Sequence, residues 1–119
     1  MRNREEAEKR GIRGEAFAAL LLGLKGHRIL GRRIGTHAGE IDLVSVVPFG
    51  PVCFVEVKTK ALGRDAAEAV APAQRTRIAR AASLYPASRP QLQARGARFD
   101  VIAVAGFLRH FKDVWRADD

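Results

Sequence analysis

Two runs constrain the fold of this chain more than any other feature of its sequence: polar and apolar residues alternate at positions 40–46, and β-branched and aromatic residues are concentrated at 52–58. Side chains alternate between the two faces of a β-strand, so the period of two residues predicts a strand in the first run, and the composition predicts a strand in the second. The intervening Pro-Phe-Gly-Pro at 48–51 is typical of a tight connection. The two runs are therefore predicted to pair as an antiparallel hairpin.

The remaining elements are predicted to surround this hairpin. Residues 5–24 have a helix-forming composition, and a second helix is predicted at 72–85, with proline at its first position. Further strands are predicted at 27–34 and 99–105. The order α-β-β-β-α-β, with a short tail, predicts a single mixed α/β domain over residues 1–119, built as a small mixed β-sheet flanked by helices.

Three other segments carry weaker signals. Asp65 followed by Glu68 resembles a capping box that opens a helical turn. Residues 86–96 contain two prolines and several polar side chains, which predicts a loop. Residues 107–116 are predicted to form a short terminal helix or strand.

Basic residues outnumber acidic ones: 21 Lys and Arg stand against 13 Asp and Glu, which gives a net charge of +8. Nucleic acid, and DNA in particular, is therefore the expected partner. The alternative is a merely basic surface, since many Arg, Ala and Gly residues can reflect a GC-rich coding sequence. Arg75, Arg77 and Arg80 on the second helix could contact phosphates, although three arginines on a helix more often form a solvated face.

The cysteine content and the apolar runs indicate the compartment. Cys53 is the single cysteine and stands in an apolar run, which predicts a buried thiol and fits a reducing environment. The amino terminus lacks the apolar core of a secretory signal, and no run approaches the roughly 18 apolar residues that span a membrane. We therefore expect a cytoplasmic protein without membrane association.

The hairpin also carries the candidate chemistry. Glu40 and Asp42 lie two residues apart on the first strand, with Ile41 and Leu43 expected on its other face. Glu56 and Lys58 lie two residues apart on the second strand, so each pair is expected to point to one face. Three carboxylates and an ammonium that converge in this way would be costly in a dry core. A divalent cation would resolve the repulsion, and oxygen ligands suit Mg²⁺ or Mn²⁺. The alternative from periodicity alone is a solvated sheet face with cross-strand ion pairs.

Several motifs resemble those of a known family. The Glu-Val-Lys at 56–58 follows Gly-Glu-Ile-Asp-Leu at 39–43, which resembles the acidic residue and E-x-K pattern of PD-(D/E)XK nucleases. Together with Arg-Gly-Glu at 13–15, Ala-Val at 69–70 and Arg-Phe-Asp-Val at 98–101, the order and spacing resemble the bacterial family called YraN or UPF0102. The resemblance covers nearly the whole chain. It implies a restriction-endonuclease-like core similar to that of archaeal Holliday junction resolvases.

The resemblance implies roles for individual residues. Asp42 and Glu56 would be the metal ligands, and Lys58 would orient the attacking water or stabilise negative charge at the phosphate. Glu15 would match the helical glutamate of the resolvase-like enzymes. The alternative is that Glu15 lies at the border of the helix and pairs with Arg13 or a later arginine.

Two further residues keep open alternatives. Glu40 is expected to be either a carboxylate behind the ligands or the partner of a basic residue. Gln74 stands where resolvase-like proteins often carry glutamine, and otherwise would be an ordinary surface residue. The chain departs from the family before Gly39, because Arg33-Ile34-Gly35 replaces the usual Asn-x-Arg. This departure bears on substrate contact and leaves the acidic residues intact.

These features predict a metal-dependent nuclease or DNA-processing protein that acts on the phosphodiester backbone of structured DNA. One alternative is a nucleic-acid-binding module that keeps the fold without turnover, and another is a protein-interaction subunit. The intact set of Asp42, Glu56 and Lys58 favours the enzyme, since a decayed site usually loses one member to a neutral residue. A homodimer that presents two sites is compatible with each hypothesis.

Overall fold

A computed structural model describes residues 2–59, 69–85, 89–105 and 107–117. The elements, in chain order, are helix α1 (Arg2–Leu24), strands β1 (Arg28–Thr36), β2 (Gly39–Val46) and β3 (Val52–Lys58), helices α2 (Pro72–Leu84) and α3 (Pro90–Gln93), and strands β4 (Ala97–Val104) and β5 (Leu108–Trp115).

The strands form one five-stranded sheet in the order β1-β2-β3-β4-β5. Strands β3 and β4 run parallel, whereas the other neighbouring strands are antiparallel. The mixed sheet with helices and the β2–β3 hairpin, both predicted from the sequence, are therefore confirmed. Helix α2 lies in the connection between β3 and β4, where a parallel pair needs a long crossover. None of the described helices has the length and apolarity needed to cross a membrane.

Two segments form secondary structure that the sequence did not fully predict. Residues 107–116, predicted as a helix or a strand, contribute strand β5, which pairs with β4. The loop predicted at 86–96 is wrong in part, because helix α3 begins there with Pro90 at its first turn. Proline is tolerated at that position since the first N–H groups of a helix have no partner within it. The predicted capping box of Asp65 and Glu68 lies outside the described residues.

The sheet separates two apolar layers. On one side Phe54 packs in a cluster with Ile78 of α2, and on the other Val55 packs in a cluster with Leu22 of α1. Cys53 belongs to the α1 layer and is fully buried and unpaired, as predicted. Burial raises the pKa of the Cys53 thiol to about 11, so the thiol stays protonated at neutral pH. Both faces of the central strand are therefore core.

The alternation of strand β2 breaks at Asp42. Ile41 packs in the α2 layer and Leu43 in the α1 layer, so the prediction that these two side chains share a face is wrong. In the register with β1, Asp42 and Arg33 fall between the pairs Arg32–Leu43 and Ile34–Ile41, and the φ of Arg33, 52°, is in the left-handed region. Such a backbone costs a residue other than glycine about 1 to 3 kcal/mol. The pleat is thus interrupted on both strands at one point.

A charged network joins β5 to the rest of the sheet. Asp100 is fully buried and accepts two hydrogen bonds from the guanidinium of Arg98, at 2.9 and 2.8 Å. It also accepts the backbone N–H of Asp113 at 3.0 Å and lies 2.7 Å from Nε2 of His110. The ammonium of Lys25 lies 2.7 Å from Nδ1 of His110 and can only donate, so the ring carries its proton on Nε2. Asp100 is thereby fully satisfied.

The Asp100 network generates a prediction about stability. Asp100→Asn should lower the free energy of unfolding by about 3 kcal/mol, because Arg98 would be left half-buried without its anion. Urea denaturation at neutral pH measures the difference. The matched control is Asp113→Asn, which removes a half-exposed carboxylate at a position of φ 55° that asparagine tolerates. A similar loss of stability in both variants would contradict the assignment.

The same network predicts an acid transition. Burial opposes ionisation of Asp100, but hydrogen bonds from His110 and Arg98 lower its pKa to about 2. Because the folded pKa is depressed, the carboxylate contributes stability that is complete above its unfolded pKa and is lost as the pH falls toward the folded value. Between about pH 4 and pH 2 the wild type should lose about 2 kcal/mol relative to Asp100→Asn.

Candidate active site

The candidate site lies where strands β2 and β3 separate. The pairing of these strands ends at Leu43 and Val55. Beyond that pair, the Oδ2 atom of Asp42 accepts the backbone N–H of Val57 at 2.9 Å. A side-chain carboxylate therefore takes the place of a backbone partner from the neighbouring strand. We call this opening between β2 and β3, bounded by Asp42 and residues 56–58, the fork.

Glu56 forms the other wall of the fork and is 9% exposed. Its Oε1 atom accepts a hydrogen bond from Nε2 of Gln74 at 3.0 Å and lies 3.8 Å from Nζ of Lys58. A hydrogen bond also joins the carboxyl groups of Glu56 and Asp42. The structure thus brings together Asp42, Glu56 and Lys58, and it places Gln74 in contact with them and not on an ordinary surface.

The two carboxyl groups cannot both ionise without cost, because like charges in contact repel and burial disfavours either charge. Burial, followed by the charge of Asp42, raises the pKa of Glu56 to about 8. Burial also raises the pKa of Asp42, against the opposing effect of the Val57 N–H and Glu56 hydrogen bonds. At neutral pH the pair therefore retains a proton, which a bound cation would replace.

Glu15 reaches the same region from helix α1 and is 7% exposed. Its approach depends on the preceding Gly14, where a Cβ would stand only 2.7 Å from Cγ2 of Thr59. Burial and then the charge of Asp42 raise the pKa of Glu15. Its Oε1 atom has no hydrogen-bond partner among the described residues and lies 3.9 Å from Nε of Arg33. Glu15 therefore lies beside an arginine, as one alternative predicted, and the charge of Asp42 in the fork affects its pKa.

Glu40 lies outside the fork. Its side chain is 54% exposed, and its Oε1 atom lies 3.8 Å from Nε of Arg33. Of the two alternatives predicted for Glu40, the structure therefore places it beside a basic residue. Because β2 breaks its alternation at Asp42, the two acidic residues of this strand do not act as one face.

The three predicted DNA-contacting arginines of α2 differ in setting. Arg75 is half-buried, and its Nε atom donates to the backbone carbonyl of Val70 at 2.8 Å. Arg77 and Arg80 are exposed. The Cγ atom of Arg77 lies 3.2 Å from the position that a Cβ on Gly39 would take, at a φ of 141°. Arg77 therefore lies against the β1–β2 connection, while Arg75 holds the segment that leads into α2.

The oxygen-rich fork fits Mg²⁺ or Mn²⁺. No three His, Cys, Asp or Glu side chains of the described residues form a complete ligand set. Mg²⁺ usually binds one or two carboxylates and completes its shell with water and substrate phosphate, so Asp42 and Glu56 would suffice. The raised pKa of Glu56 and the unsatisfied Oε1 atom of Glu15 both indicate a place that a cation would stabilise. The residues present therefore fit the metal that the sequence predicts.

Arg33 belongs to this site, although the sequence identified it only as part of a segment that bears on substrate contact. Its ion pairs with Glu15 and Glu40 join helix α1 to strand β2. Arg33 is recognised as part of the site only from its position near Asp42, and that position depends on the strand register. In sequence Arg33 is one of several arginines beside an apolar run.

The fold and the fork define a mixed α/β protein with a buried carboxylate pair and an adjacent lysine at a strand opening. Comparison with known proteins shows that the chain belongs to the family described as Uncharacterised protein family UPF0102, whose model matches residues 14–104. The family predicted from the motifs is therefore confirmed.

Several relatives match most of the chain. The UPF0102 protein amb4503 of Paramagnetospirillum magneticum is 44% identical over 98% of this chain and 95% of its own length. A UPF0102 protein of Caulobacter vibrioides is 46% identical over 92% of this chain and 88% of its own. Another, of Parvibaculum lavamentivorans, is 43% identical over 92% and 84%.

The carboxyl pair predicts that the site lowers stability in the absence of metal. Since the folded pKa of Glu56 is raised to about 8, the folded state binds the extra proton and stability falls as the pH rises from the unfolded pKa toward 8. Asp42→Asn removes the repulsion and should stabilise the protein, with chelator present, by about 1 to 2 kcal/mol near pH 8. The gain should shrink as the pH falls toward 4, because the carboxyl groups of the unfolded chain then become protonated as well.

Urea denaturation of wild type and variant at the two pH values measures this gain. Glu40→Gln is the matched control, since it removes a carboxylate from the same strand at an exposed position. Equal stabilisation by both substitutions would show that overall charge, and not the buried pair, is responsible.

Proposed function

We propose that this protein is a metal-dependent nuclease, or a closely related DNA-processing protein, that acts on the phosphodiester backbone of structured DNA. The convergence of Asp42, Glu56 and Lys58 at the fork carries this proposal. Mg²⁺ or Mn²⁺ held by Asp42 and Glu56 would supply Lewis-acid polarisation of the phosphate and an activated water. A restriction-endonuclease-like core with its site at a strand opening is part of the same proposal.

The surrounding residues orient the two ligands. Asp42 is held by the backbone N–H of Val57, so its position follows the rigid sheet. Glu56 is held by the amide of Gln74, which fixes the plane of its carboxyl group. Groups that hydrogen-bond to metal-binding carboxylates in this way set the orientation and the basicity of those carboxylates. Glu15 adds a third acidic group from α1, close enough for its pKa to respond to Asp42.

Lys58 is placed to act on the phosphate. Its side chain is 26% exposed and its Nζ atom lies 3.8 Å from Glu56, so the ammonium borders both the carboxylates and solvent. A fixed cation at this position stabilises the negative charge that develops on the phosphate in the transition state. Lys58 therefore has a role in cleavage that is separate from the ligand role of its neighbours.

A nucleic-acid-binding module without turnover is the second candidate. The observation that favours it is the completeness of the contacts of Glu56, which already meets Gln74, Lys58 and Asp42 without a metal. Such a network can serve the fold alone. The two candidates differ in whether the wild type cuts DNA, and in what Lys58 does.

The decisive experiment incubates the purified protein with branched, nicked and single-stranded DNA in Mg²⁺, in Mn²⁺ and in chelator. Lys58→Ala should retain metal and DNA binding while cleavage falls about a hundredfold to a thousandfold, because a preorganised transition-state donor is lost. Lys112→Ala is the control, since it removes an exposed lysine from β5. Asp42→Asn, purified in the same way, detects contaminating nuclease.

The outcomes separate the candidates. Metal-dependent cleavage that is equally fast in Lys58→Ala would refute the proposed mechanism. A wild type that binds DNA but cuts none of the substrates would establish the binding module instead.

DNA affinity should be mainly electrostatic, because the chain carries a net charge of +8 and exposes Arg77 and Arg80 on α2. The logarithm of the binding constant should fall linearly with the logarithm of salt concentration, with a slope of about −0.9 per phosphate neutralised on duplex DNA. Removing Arg77 should make the slope shallower by about one phosphate contact. A slope near zero would favour the protein-interaction hypothesis.

A further inference from the structure

Arg33 occupies a strained position at the edge of the fork. Its φ of 52° is left-handed, although it lies within strand β1. A residue other than glycine keeps such a backbone only where its surroundings impose it, and these positions cluster at functional sites. Strand β2 breaks its alternation at Asp42, which falls, like Arg33, between the paired residues Arg32–Leu43 and Ile34–Ile41.

The side chain of Arg33 is held by charge from two sides. Its Nε atom lies 3.9 Å from Glu15 and 3.8 Å from Glu40, and the side chain is 40% exposed. Both distances exceed that of a hydrogen bond, so neither carboxylate clamps the guanidinium in the bidentate geometry that arginine favours. The guanidinium is therefore attracted to the acids without being locked onto them.

Arg33 and a bound cation would compete for the same negative charge. The charge of Arg33 opposes the rise in the pKa of Glu15, and the charge of Asp42 contributes to that rise. A divalent ion held by Asp42 and Glu56 would neutralise those two carboxylates and repel the guanidinium of Arg33. A guanidinium released at the edge of a metal site meets the substrate backbone, whose phosphates it binds well.

We infer that Arg33 is a phosphate-binding residue of the fork, held by Glu15 and Glu40 while the carboxylates lack a cation and available to a DNA phosphate once they are loaded. This inference rests on the proposed function. It assigns substrate binding to strand β1. It also links metal loading to DNA affinity through one side chain.

The neighbouring Arg32 provides a matched control. Its charge also lowers the pKa of Glu15, but its Nη2 atom donates to the backbone carbonyl of Ile12 at 3.5 Å. Loss of either arginine removes one positive charge near the fork. Only loss of Arg33 removes the proposed phosphate contact.

The test compares wild type, Arg33→Asn and Arg32→Gln, each in the Lys58→Ala background so that the DNA stays intact. Asparagine is chosen because it tolerates the left-handed backbone better than most residues. Mn²⁺ affinity is measured by calorimetry. Affinity for a branched DNA is measured by fluorescence anisotropy with Mn²⁺ and with chelator, at constant ionic strength, and the ratio of the two affinities is compared.

Arg33→Asn should bind Mn²⁺ about threefold to tenfold more tightly, because a competing cation is gone. Its ratio of DNA affinities with and without Mn²⁺ should fall about tenfold, since the phosphate contact forms only in the loaded state. Arg32→Gln should leave the ratio within about twofold, because its charge acts equally in both states.

Two failures are distinguishable. If Mn²⁺ binds but the ratio in Arg33→Asn matches that in Arg32→Gln, the inference about Arg33 is overturned while the proposed metal site stands. If the parent protein binds no Mn²⁺, the proposed function fails, and the inference fails with it.

Discussion

The hydrogen bond from the backbone N–H of Val57 to the carboxylate of Asp42 is the interaction on which the site depends. In a continuous ladder that N–H would face a carbonyl of β2, and the two strands would close against each other. Because a side chain accepts it instead, β2 and β3 separate just where Glu56 and Lys58 emerge. The opening thus forms because a side-chain carboxylate, and not a backbone carbonyl, accepts the hydrogen bond from Val57.

Two buried acids illustrate how partners decide the state of a carboxyl group. Asp100 is surrounded by a bidentate arginine, an imidazole N–H and a backbone N–H, and its pKa falls to about 2. Glu56 is also buried, but it accepts from a neutral amide, lies 3.8 Å from the ammonium of Lys58 and adjoins a second acid, and its pKa rises to about 8. The first arrangement is saturated and structural. The second leaves negative charge poorly compensated, which is the usual mark of a functional site.

Local periodicity and motif spacing predict the features that short windows encode. The hairpin, the helix that begins at Pro72 and the membership of the family all follow from such patterns. The prediction that Ile41 and Leu43 share a face was wrong, because a strict period of two residues cannot anticipate a break in the pleat. The prolines before β4 were predicted only to form a loop, although Pro90 begins helix α3.

What the sequence by itself determined is the set of chemical groups and their order: the acids of β2, the Glu-x-Lys of β3, and a helical glutamate in α1. Only the tertiary structure decided how they meet. The contact of Gln74 with Glu56 needs the crossover that brings α2 onto the sheet, and the position of Arg33 near Asp42 needs the register of β1 with β2. Contacts between residues distant in the chain depend on packing and register, and no local pattern encodes either one.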